Sequence, residues 1–170
     1  MDSIDGLDLL ILEILQRDAR TPVEALARQI GLTKTPTASR IRKLEERGVI
    51  QKYGARLNPE MIGLPVAAFL AVTLTHHSEQ ARKEFAKRVC ALPNVLECHF
   101  ITGETDVLLK VRVTSIAEYQ RDIIDAISRS GGVATMVTSI VMSTLKEDGP
   151  LPLPPASRPA AKKGSRSQRV

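Results

Sequence analysis

The sequence predicts an α+β fold in which a helical N-terminal domain precedes a four-stranded sheet. Three observations along the 170 residues support this prediction. Apolar residues recur at helical spacing up to about residue 48, and apolar runs of strand length begin at residue 66. From residue 149 the chain is rich in proline and contains basic but no acidic residues. We therefore expect a helical domain with a hinge strand at 1–57, a linker at 58–65, a sheet domain at 66–148 and a disordered tail at 149–170.

The first two helices follow from apolar spacing and from residues that begin or end helices. Leucine and isoleucine recur every three or four positions between residues 7 and 15, which places one apolar stripe on a helix over about residues 5–17. Asp5 can cap its N-terminus. Residues 21–24, Thr-Pro-Val-Glu, have the form of a capping box with proline at the first helical position, which predicts the start of a second helix. Gly31 ends that helix.

A third helix is predicted between Thr33, which can act as its N-cap, and Gly48, a glycine of the type that follows a helix C-terminus. Pro36 lies in its first turn, and an extended segment follows at residues 49–57. Three short helices, with a glycine turn between the second and third and an extended segment behind them, are the layout of a winged helix-turn-helix.

The second half predicts an antiparallel sheet. Residues 66–74 form an apolar run suited to a strand covered on both faces. The predicted elements are strands at 66–74, 95–102, 107–113 and 133–145, and helices at 78–92 and 116–127. Ser78 can cap the first of these helices, and Gly131 and Gly132 end the second. The order β-α-β-β-α-β is the ferredoxin-like motif, with both helices on one face of the sheet.

The net charge becomes informative once it is located along the chain. There are 24 Lys and Arg residues against 19 Asp and Glu, which gives a formal charge of +5. The five basic residues of the tail account for that whole excess. Within the remaining neutral body, residues 33–56 hold seven basic and two acidic residues. This internal basic segment coincides with the third predicted helix and the segment after it.

The third helix carries hydroxyl and cationic side chains of the kinds that contact DNA. Short hydroxyls can reach base edges or phosphates, and cations neutralise phosphates. The helix N-terminus also favours a nearby phosphate. The alternative is a solvated cationic helix face without a ligand. The candidate DNA-binding residues are Thr33, Lys34, Thr35, Thr37, Ser39, Arg40, Arg42 and Lys43.

Several short motifs resemble the leucine-responsive and asparagine-regulator (Lrp/AsnC) family, the feast/famine transcriptional regulators. The resemblance covers about residues 4–147. In the first half it rests on residues 5–12, 19–20, 24–27, 31–36, 40–45 and 48–50, and in the second half on residues 95–98, 102–106 and 108–111. Lys34 departs from the family pattern, where proline or another small polar residue is frequent.

The resemblance implies a DNA-binding transcriptional regulator with a winged helix-turn-helix and an amino-acid-sensing RAM domain, which is ACT-like. It implies that double-stranded DNA is bound as near-palindromic half-sites. It also implies a homodimer formed through the sheet and further assembly to a tetramer or octamer. We expect a cytoplasmic protein, because the chain has no apolar run of membrane-spanning length and its first residues lack the pattern of a signal peptide.

The turn at residues 103–106 is the candidate site for a small effector. An amino acid presents an ammonium and a carboxylate, so Glu104 or Asp106 could accept the ammonium while backbone N–H groups near Gly103 receive the carboxylate. The alternative is an ordinary turn in which Asp106 satisfies local N–H groups and Gly103 supplies a positive φ. The candidate effector-binding residues are Thr102, Gly103, Glu104, Asp106 and Thr138.

Two positions depart from the family pattern in this region. Thr105 stands where an aromatic residue is usual after Gly-Glu, and Met136 replaces the first threonine of a Thr-x-Thr pattern whose second threonine is Thr138. Thr138 is retained, but Met136 removes a hydroxyl from this pattern. The identity of the effector is therefore open at this point.

Two other functional classes compete with the regulator. A haem-pathway enzyme resembling the sirohaem decarboxylases would use His76, His77 or His99 together with Arg112, but it has no need of a basic third helix. A stand-alone amino-acid-sensing module would have no affinity for DNA. We expect no enzyme activity and no cofactor.

We also expect no metal site. Adjacent histidines in a loop point in different directions, and a third ligand is missing. The spacing of Cys90 and Cys98 matches no metal or redox motif and predicts buried reduced thiols.

Overall fold

The computed structural model describes residues 4–129 and 131–154. The chain divides into two compact units. One unit combines the N-terminal residues as far as Ala55 with the segment that begins at Lys146, and the other spans Arg56–Leu145.

Three helices build the first unit: α1 (Gly6–Arg17), α2 (Val23–Ile30) and α3 (Lys34–Glu46). The predicted cap of α1 is confirmed, since the Asp5 carboxylate accepts the Asp8 backbone N–H at 2.8 Å. The Asp8 carboxylate accepts the Asp5 N–H at 3.2 Å in return, which completes a capping box. This reciprocal pair fixes where α1 begins.

Glycines end α2 and α3 as predicted. Gly31 has φ of 74° and Gly48 has φ of 69°, a left-handed conformation that favours glycine. After Gly48 the chain turns back, and the Val49 N–H donates to the Leu44 carbonyl at 2.9 Å. These two turns set the length of α3 and the direction in which the chain enters and leaves it.

The capping box predicted at residues 21–24 is wrong. Helix α2 begins after Pro22, which makes no side-chain cap hydrogen bond. The Thr21 hydroxyl instead donates to the Asp18 carbonyl at 2.8 Å, in the turn behind α1. Thr33 does occupy the N-cap position of α3, but its side chain makes no cap bond either.

The core of the first unit is aliphatic and takes residues from all three helices. Its buried members are Ile11, Leu12, Leu26, Ile30 and Leu44.

No helix within residues 4–129 and 131–154 is long and apolar enough to cross a membrane.

The segment predicted as a wing and hinge strand forms no regular strand. Residues 51–58 have neither helix nor strand assignment, and in the described part of the chain no strand pairs with them. One contact ties the start of the segment to α3, because the Tyr53 hydroxyl donates to Glu45 Oε1 at 2.9 Å. An extended segment becomes a strand only when its backbone N–H and C=O groups form a ladder of hydrogen bonds with a neighbouring strand. No described strand of this chain lies beside residues 51–58.

The prediction of disorder fails for the start of the tail. Leu153 is half-buried and packs against the core of the first unit. The Leu151 backbone exchanges two hydrogen bonds with the Gln16 side chain, at 2.7 and 3.4 Å. The two leucines supply the apolar and backbone contacts that a run of proline and small residues would lack. Residues 155–170, for which the sequence also predicts disorder, lie outside the described residues.

The second unit has the predicted βαββαβ order. Its strands are β1 (Val66–Leu74), β2 (Val95–Phe100), β3 (Val107–Val113) and β4 (Val133–Ile140), and they form an antiparallel sheet in the order β2-β3-β1-β4. Helix α4 (Glu79–Val89) connects β1 to β2, with Ser78 as its predicted cap. The second crossover is helical over residues 116–129. It consists of α5 (Ile116–Glu118), a π-helical turn (Tyr119–Ile124) and α6 (Asp125–Arg129).

The core of the second unit lies between the sheet and its helices. Leu70 on β1 pairs with Leu109 on β3, and both side chains are fully buried. Phe85 from α4 and Ile123 from the π-helical turn belong to the same core. Strand β4 ends earlier than predicted, at residue 140 instead of 145.

The opposite face of the sheet carries apolar side chains without a helix to cover them. Phe69 on β1 and Val137 on β4 alternate with the core-facing residues of their strands. Phe69 is 37% exposed and Val137 is 54% exposed. We refer to this surface as the outer sheet face.

Candidate nucleic-acid interface and effector site

Helix α3 presents a mixed cationic and hydroxyl surface. Six of the eight predicted DNA-binding residues are exposed: Thr33, Lys34, Thr35, Ser39, Arg42 and Lys43. Arg42 and Lys43 form no ion pair with any residue that the structure describes. Their charges are therefore available to an external anion.

Thr37 is excluded as a DNA contact, which corrects the prediction. Its relative exposure is 0%, and its hydroxyl donates to the Thr33 carbonyl at 2.9 Å, one turn back. The residue lies four positions before Ile41 and seven before Leu44, on the stripe that faces the core. The spacing of Thr37 from Ile41 and Leu44 therefore indicated burial, whereas its hydroxyl side chain suggested a surface contact.

Arg40 connects α3 to the beginning of α1. Its Nη1 lies 2.7 Å from Asp5 Oδ2 and 2.7 Å from Asp8 Oδ1. Burial opposes ionisation of Asp5, but hydrogen bonds from the Asp8 backbone and the Arg40 guanidinium hold the pKa of that carboxyl below its ordinary value. Hydrogen bonding to Asp8 raises the pKa of Arg40. Two carboxylates therefore neutralise Arg40 locally, which makes it a weaker candidate for phosphate contact than Arg42.

Two further side-chain contacts lie at the two ends of α3. The Lys34 ammonium pairs with the Glu24 carboxylate on α2, and the hydrogen bond from Lys34 lowers the pKa of Glu24. At the other end, burial and the hydrogen bond to Glu45 raise the pKa of Tyr53 to about 12. Tyr53 was not among the predicted residues, and its spacing from α3 gives no helical or strand signal that would have identified it.

The first half of the candidate effector turn is exposed, whereas Thr105 and Asp106 are half-buried. Thr102, Gly103 and Glu104 are open to solvent, and Gly103 has φ of 120°. The turn is tied back to β1, because the Thr73 hydroxyl donates to the Glu104 carbonyl at 3.5 Å. The Glu104 carboxylate is thus presented outward on a fixed backbone.

Asp106 holds this turn against the end of β1. Its Oδ2 accepts the Leu74 backbone N–H at 2.8 Å, and its Oδ1 lies 3.1 Å from His77 Nδ1. The hydrogen bond from Leu74 is the main cause that lowers the pKa of Asp106, and the nearby His77 contributes. This geometry fits the alternative in which Asp106 satisfies local N–H groups, so Glu104 is the carboxylate better placed to meet a ligand.

The structure does not bring Thr138 to this turn within one chain. Thr138 pairs with Leu70 across the sheet, and its hydroxyl lies 2.7 Å from the Tyr119 hydroxyl. Leu70 is four residues along β1 from Leu74, to which Asp106 binds, which is a separation of about 13 Å at strand spacing. Thr138 and the turn are therefore separate features of the single chain.

The residues that a haem-pathway enzyme would use are also dispersed. His77 faces Asp106, whereas His99 Nε2 lies 3.2 Å from Glu97 Oε2 on β2. Arg112 donates to the Leu64 carbonyl at 3.4 Å. His99 pairs with residue 108 of β3, about four strand positions from Arg112, so these side chains do not surround one pocket. Among the described residues, no three or more His, Cys, Asp or Glu side chains are grouped to hold a metal ion.

The prediction of two buried thiols is only partly right. Cys98 is half-buried on β2, and burial together with hydrogen bonding to Cys90 raises its pKa to about 11. Cys90 is exposed, because it follows α4 as the C-cap, where the chain has left the face of the helix that packs on the sheet.

A cleft of about 240 Å³ lies at the end of β1 in the second unit, and sequence reasoning did not anticipate it. It is lined by Leu74, His76, Ala81, Glu84, Phe85, Arg88, Gly131 and Gly132. The two glycines come from the turn before β4, so the cleft forms only when distant segments of this unit meet.

Comparison with known proteins identifies both units. An AsnC-type helix-turn-helix domain matches residues 4–45, and the Lrp/AsnC ligand binding domain matches residues 67–151. A proline dehydrogenase transcriptional activator of Rhizobium radiobacter is 40% identical over 148 residues, which cover 87% of this chain and 95% of the relative.

Two solved structures share the fold. An AsnC family transcriptional regulator from Agrobacterium tumefaciens has a TM-score of 0.80 at 34% identity and covers 89% of this chain and 97% of its own. A transcriptional regulator from Neisseria meningitidis in complex with L-Met has a TM-score of 0.78 at 31% identity, with 88% and 97% covered. Family models, a relative and solved structures agree over both units. The chain therefore belongs to the Lrp/AsnC family of transcriptional regulators.

Proposed function

We propose that this regulator binds near-palindromic double-stranded DNA through α3 of its first unit. The observation that carries the proposal is the exposed surface of α3, where Arg42 and Lys43, which pair with no described acid, stand beside the hydroxyls of Thr35 and Ser39. The cations suit phosphates, and short hydroxyls at the N-terminal half of a recognition helix can reach base edges. Thr33 and Lys34 extend this surface to the start of the helix.

The salt dependence of DNA binding tests the assignment of α3. We expect the double substitution Arg42→Ala with Lys43→Ala to lower affinity for the promoter of its own or a neighbouring gene. The slope of log K against log salt should fall by about 0.9 for each phosphate that the variant no longer neutralises, or up to about 1.8 per chain. The measurement is fluorescence anisotropy between about 50 and 200 mM salt.

Lys87→Ala is the matched control for this experiment. Lys87 is an exposed cation on α4 of the second unit, so its loss changes the net charge without touching α3. An unchanged salt slope in the double variant, or an equal fall in the control, would mean that α3 is not the DNA-contacting helix.

We propose that the second unit binds an amino acid or a similar small effector at the turn of residues 103–106. The solved Neisseria meningitidis relative was crystallised with L-Met, which supports this ligand class. In this chain the Glu104 carboxylate would receive the ammonium, and backbone N–H groups near Gly103 the carboxylate. Thr102 and Asp106 would complete and hold the turn, and Thr138 would contribute if a second chain brings it near.

Calorimetry with the twenty amino acids tests effector binding. At least one amino acid should give a heat of binding to the natural protein, and Glu104→Gln, which keeps the shape of the side chain but removes its charge, should weaken that binding about tenfold or more. Thr105→Ser is the control, because it retains the hydroxyl and leaves the carboxylate in place. Absence of heat from all twenty amino acids would retire the sensing proposal.

We further propose a homodimer formed through the outer sheet face, which assembles to a tetramer or octamer in the cytoplasm. The exposed Phe69 and Val137 support it, because apolar side chains on an uncovered sheet favour burial against a second sheet. An effector bound between subunits would bias their relative placement and hence the spacing of the paired recognition helices. Such a shift requires the effector to bind one arrangement more tightly than the other.

A further inference from the structure

The start of the C-terminal tail occupies a groove on α1 that neither α3 nor the effector turn uses. Four side chains of α1, Leu9, Glu13, Gln16 and Arg17, line a cleft of about 220 Å³ together with tail residues between 150 and 154. These positions recur at i, i+4, i+7 and i+8, so they share one face of the helix. The tail therefore meets a continuous surface of the DNA-binding unit.

Two different contacts hold the segment in place. Gln16 Oε1 accepts the Leu151 N–H at 2.7 Å, and Gln16 Nε2 donates to the Leu151 carbonyl at 3.4 Å. An amide side chain carries a donor and an acceptor, so it binds a backbone much as a neighbouring strand would. Leu153 adds an apolar contact, since it is half-buried against the core of the first unit. The Leu151 side chain is 73% exposed and takes no comparable part.

The sequence of the segment suits this mode of binding. Residues 150–154 read Pro-Leu-Pro-Leu-Pro, and each proline fixes its own φ, which reduces the entropy lost on docking. Proline has no N–H, so Leu151 and Leu153 hold the only backbone donors of the segment. One of these two donors is the group that Gln16 binds.

We propose that residues 150–154 are an anchor, which binds α1 and keeps the basic residues that follow within reach of bound DNA. Those residues are Arg158, Lys162, Lys163, Arg166 and Arg169. They lie 4 to 15 residues beyond Pro154. At about 3.3 Å per residue an extended chain of those lengths spans roughly 13 to 50 Å. The anchor therefore fixes the start of this basic stretch on the unit that carries α3.

The anchor shortens the tether on which these cations are held. The sheet holds the chain as far as Val141, whose N–H donates to the Ala67 carbonyl at 2.9 Å, 13 residues before Pro154. If the sheet rather than the anchor is the point of attachment, the chain leading to Lys163 lengthens from 9 to 22 residues, and the effective concentration of this cation at the DNA falls about fourfold by the −3/2 power of length. This part of the inference rests on the proposed binding of DNA by the first unit, whereas the anchor itself does not.

Hydrogen exchange of the full-length protein without DNA tests the anchor. The Leu151 amide should exchange more than tenfold more slowly than an unstructured amide, and Leu153→Ala should return it to about the unstructured rate. Leu151→Ala is the matched control, because it keeps the backbone contacts to Gln16 and removes a side chain that is already exposed. An unprotected amide at residue 151 of the natural protein would overturn the anchor.

Binding to a non-operator duplex tests the consequence for DNA. Removal of residues 155–170 should lower the salt slope by up to about 4.5 per chain, at 0.9 for each of five cations. Leu153→Ala, which keeps every cation, should weaken binding up to about fourfold, and Leu151→Ala should bind as the natural protein does. If the Leu151 amide is protected in the natural protein but Leu153→Ala binds the duplex with the same affinity as the natural protein, the anchor has no role in DNA binding. If the natural protein binds no DNA, the proposed function fails, and the exchange of the Leu151 amide still decides whether the anchor exists.

Discussion

Thr37 and Arg40 have residue types suited to DNA contact, and their surroundings give them structural roles instead. Thr37 is enclosed in the helical unit, where its hydroxyl is satisfied by the Thr33 carbonyl. Arg40 reaches across to the two carboxylates that begin α1. Residue type alone predicts what a side chain can bind, whereas burial and neighbours decide what it does bind.

The ion pairs of Arg40 predict a pH-dependent contribution to stability. The pKa of Asp5 is lowered in the folded protein, so stabilisation by this carboxylate is fully present above its unfolded value, near 3.8, and is lost as the pH falls through the folded value. At pH 7 we expect Arg40→Ala to reduce the free energy of unfolding by about 1 to 3 kcal/mol, because it leaves the mostly buried Asp8 carboxylate without its charged partner. Urea unfolding at a series of pH values measures the effect.

Arg42→Ala is the control for this prediction, since Arg42 lies two positions away on α3 and is exposed. Its free energy of unfolding should remain within about 0.5 kcal/mol of the natural protein. The difference between Arg40→Ala and the natural protein should shrink below about pH 4, where the Asp5 carboxylate becomes protonated in the unfolded protein. A difference that stays constant down to about pH 3 would show that the effect is not electrostatic.

The sequence allows two roles for the acids of the effector turn, which are binding a ligand and satisfying local N–H groups. The structure favours a different role for each of the two carboxylates. Asp106 accepts a backbone N–H and faces His77, which suits a turn-forming residue. Glu104 is exposed on the same turn and is the carboxylate that an ammonium could reach. The sequence places both acids close together, and the contacts of Asp106 with the Leu74 N–H and with His77 distinguish it from Glu104.

At the scale of elements, the features predicted correctly are those encoded by local sequence. Helix α1 follows from its apolar spacing and the Asp5 cap, and α3 ends where Gly48 adopts a positive φ. Strands β1 and β3 follow the predicted residue ranges, because β1 is a continuous apolar run of strand length and β3 alternates apolar with charged residues at a two-residue period. These signals need no knowledge of distant residues.

The elements predicted incorrectly depend on contacts that local sequence does not contain. Thr21 could cap α2 by its type, but the Asp18 carbonyl takes its hydroxyl. Residues 51–58 are extended in composition, yet a strand also requires a partner strand. The proline-rich residues 150–154 resemble a disordered linker until Gln16, some 135 residues away, supplies a binding surface.

At the scale of the whole molecule, the outer sheet face is an apolar surface that no element of a single chain covers in the described residues. Strand β1 pairs with β3 and β4, and alternate residues of all three point away from the helices. Phe69 and Val137 therefore remain exposed although the core beneath them is closed. In the proposed homodimer, a second copy of the chain covers this face and gives the two-fold arrangement that the proposed paired half-sites require.

A charge on the outer sheet face should weaken the proposed dimer. We expect Val137→Lys to raise the dimer dissociation constant at least tenfold, because it would place an unpaired ammonium between two apolar sheet faces. Sedimentation velocity across a range of protein concentrations measures the change. Met142→Lys adds the same charge at a fully exposed residue beyond β4 and should leave the mass unchanged. Equal masses for both variants would place the interface elsewhere.

Sequence information was sufficient for the fold class, the three helices of the first unit, the order of elements in the second unit and the location of the basic helix. These features depend on periodicity, on capping residues and on where charges fall along the chain. It also carried the family resemblance, which the comparisons confirm. Folding was needed to establish that Thr37 is buried, that Arg40 is paired with Asp5 and Asp8, and that the tail begins on α1. Each of these depends on groups distant in sequence, whose approach is fixed only when the cores of the units close.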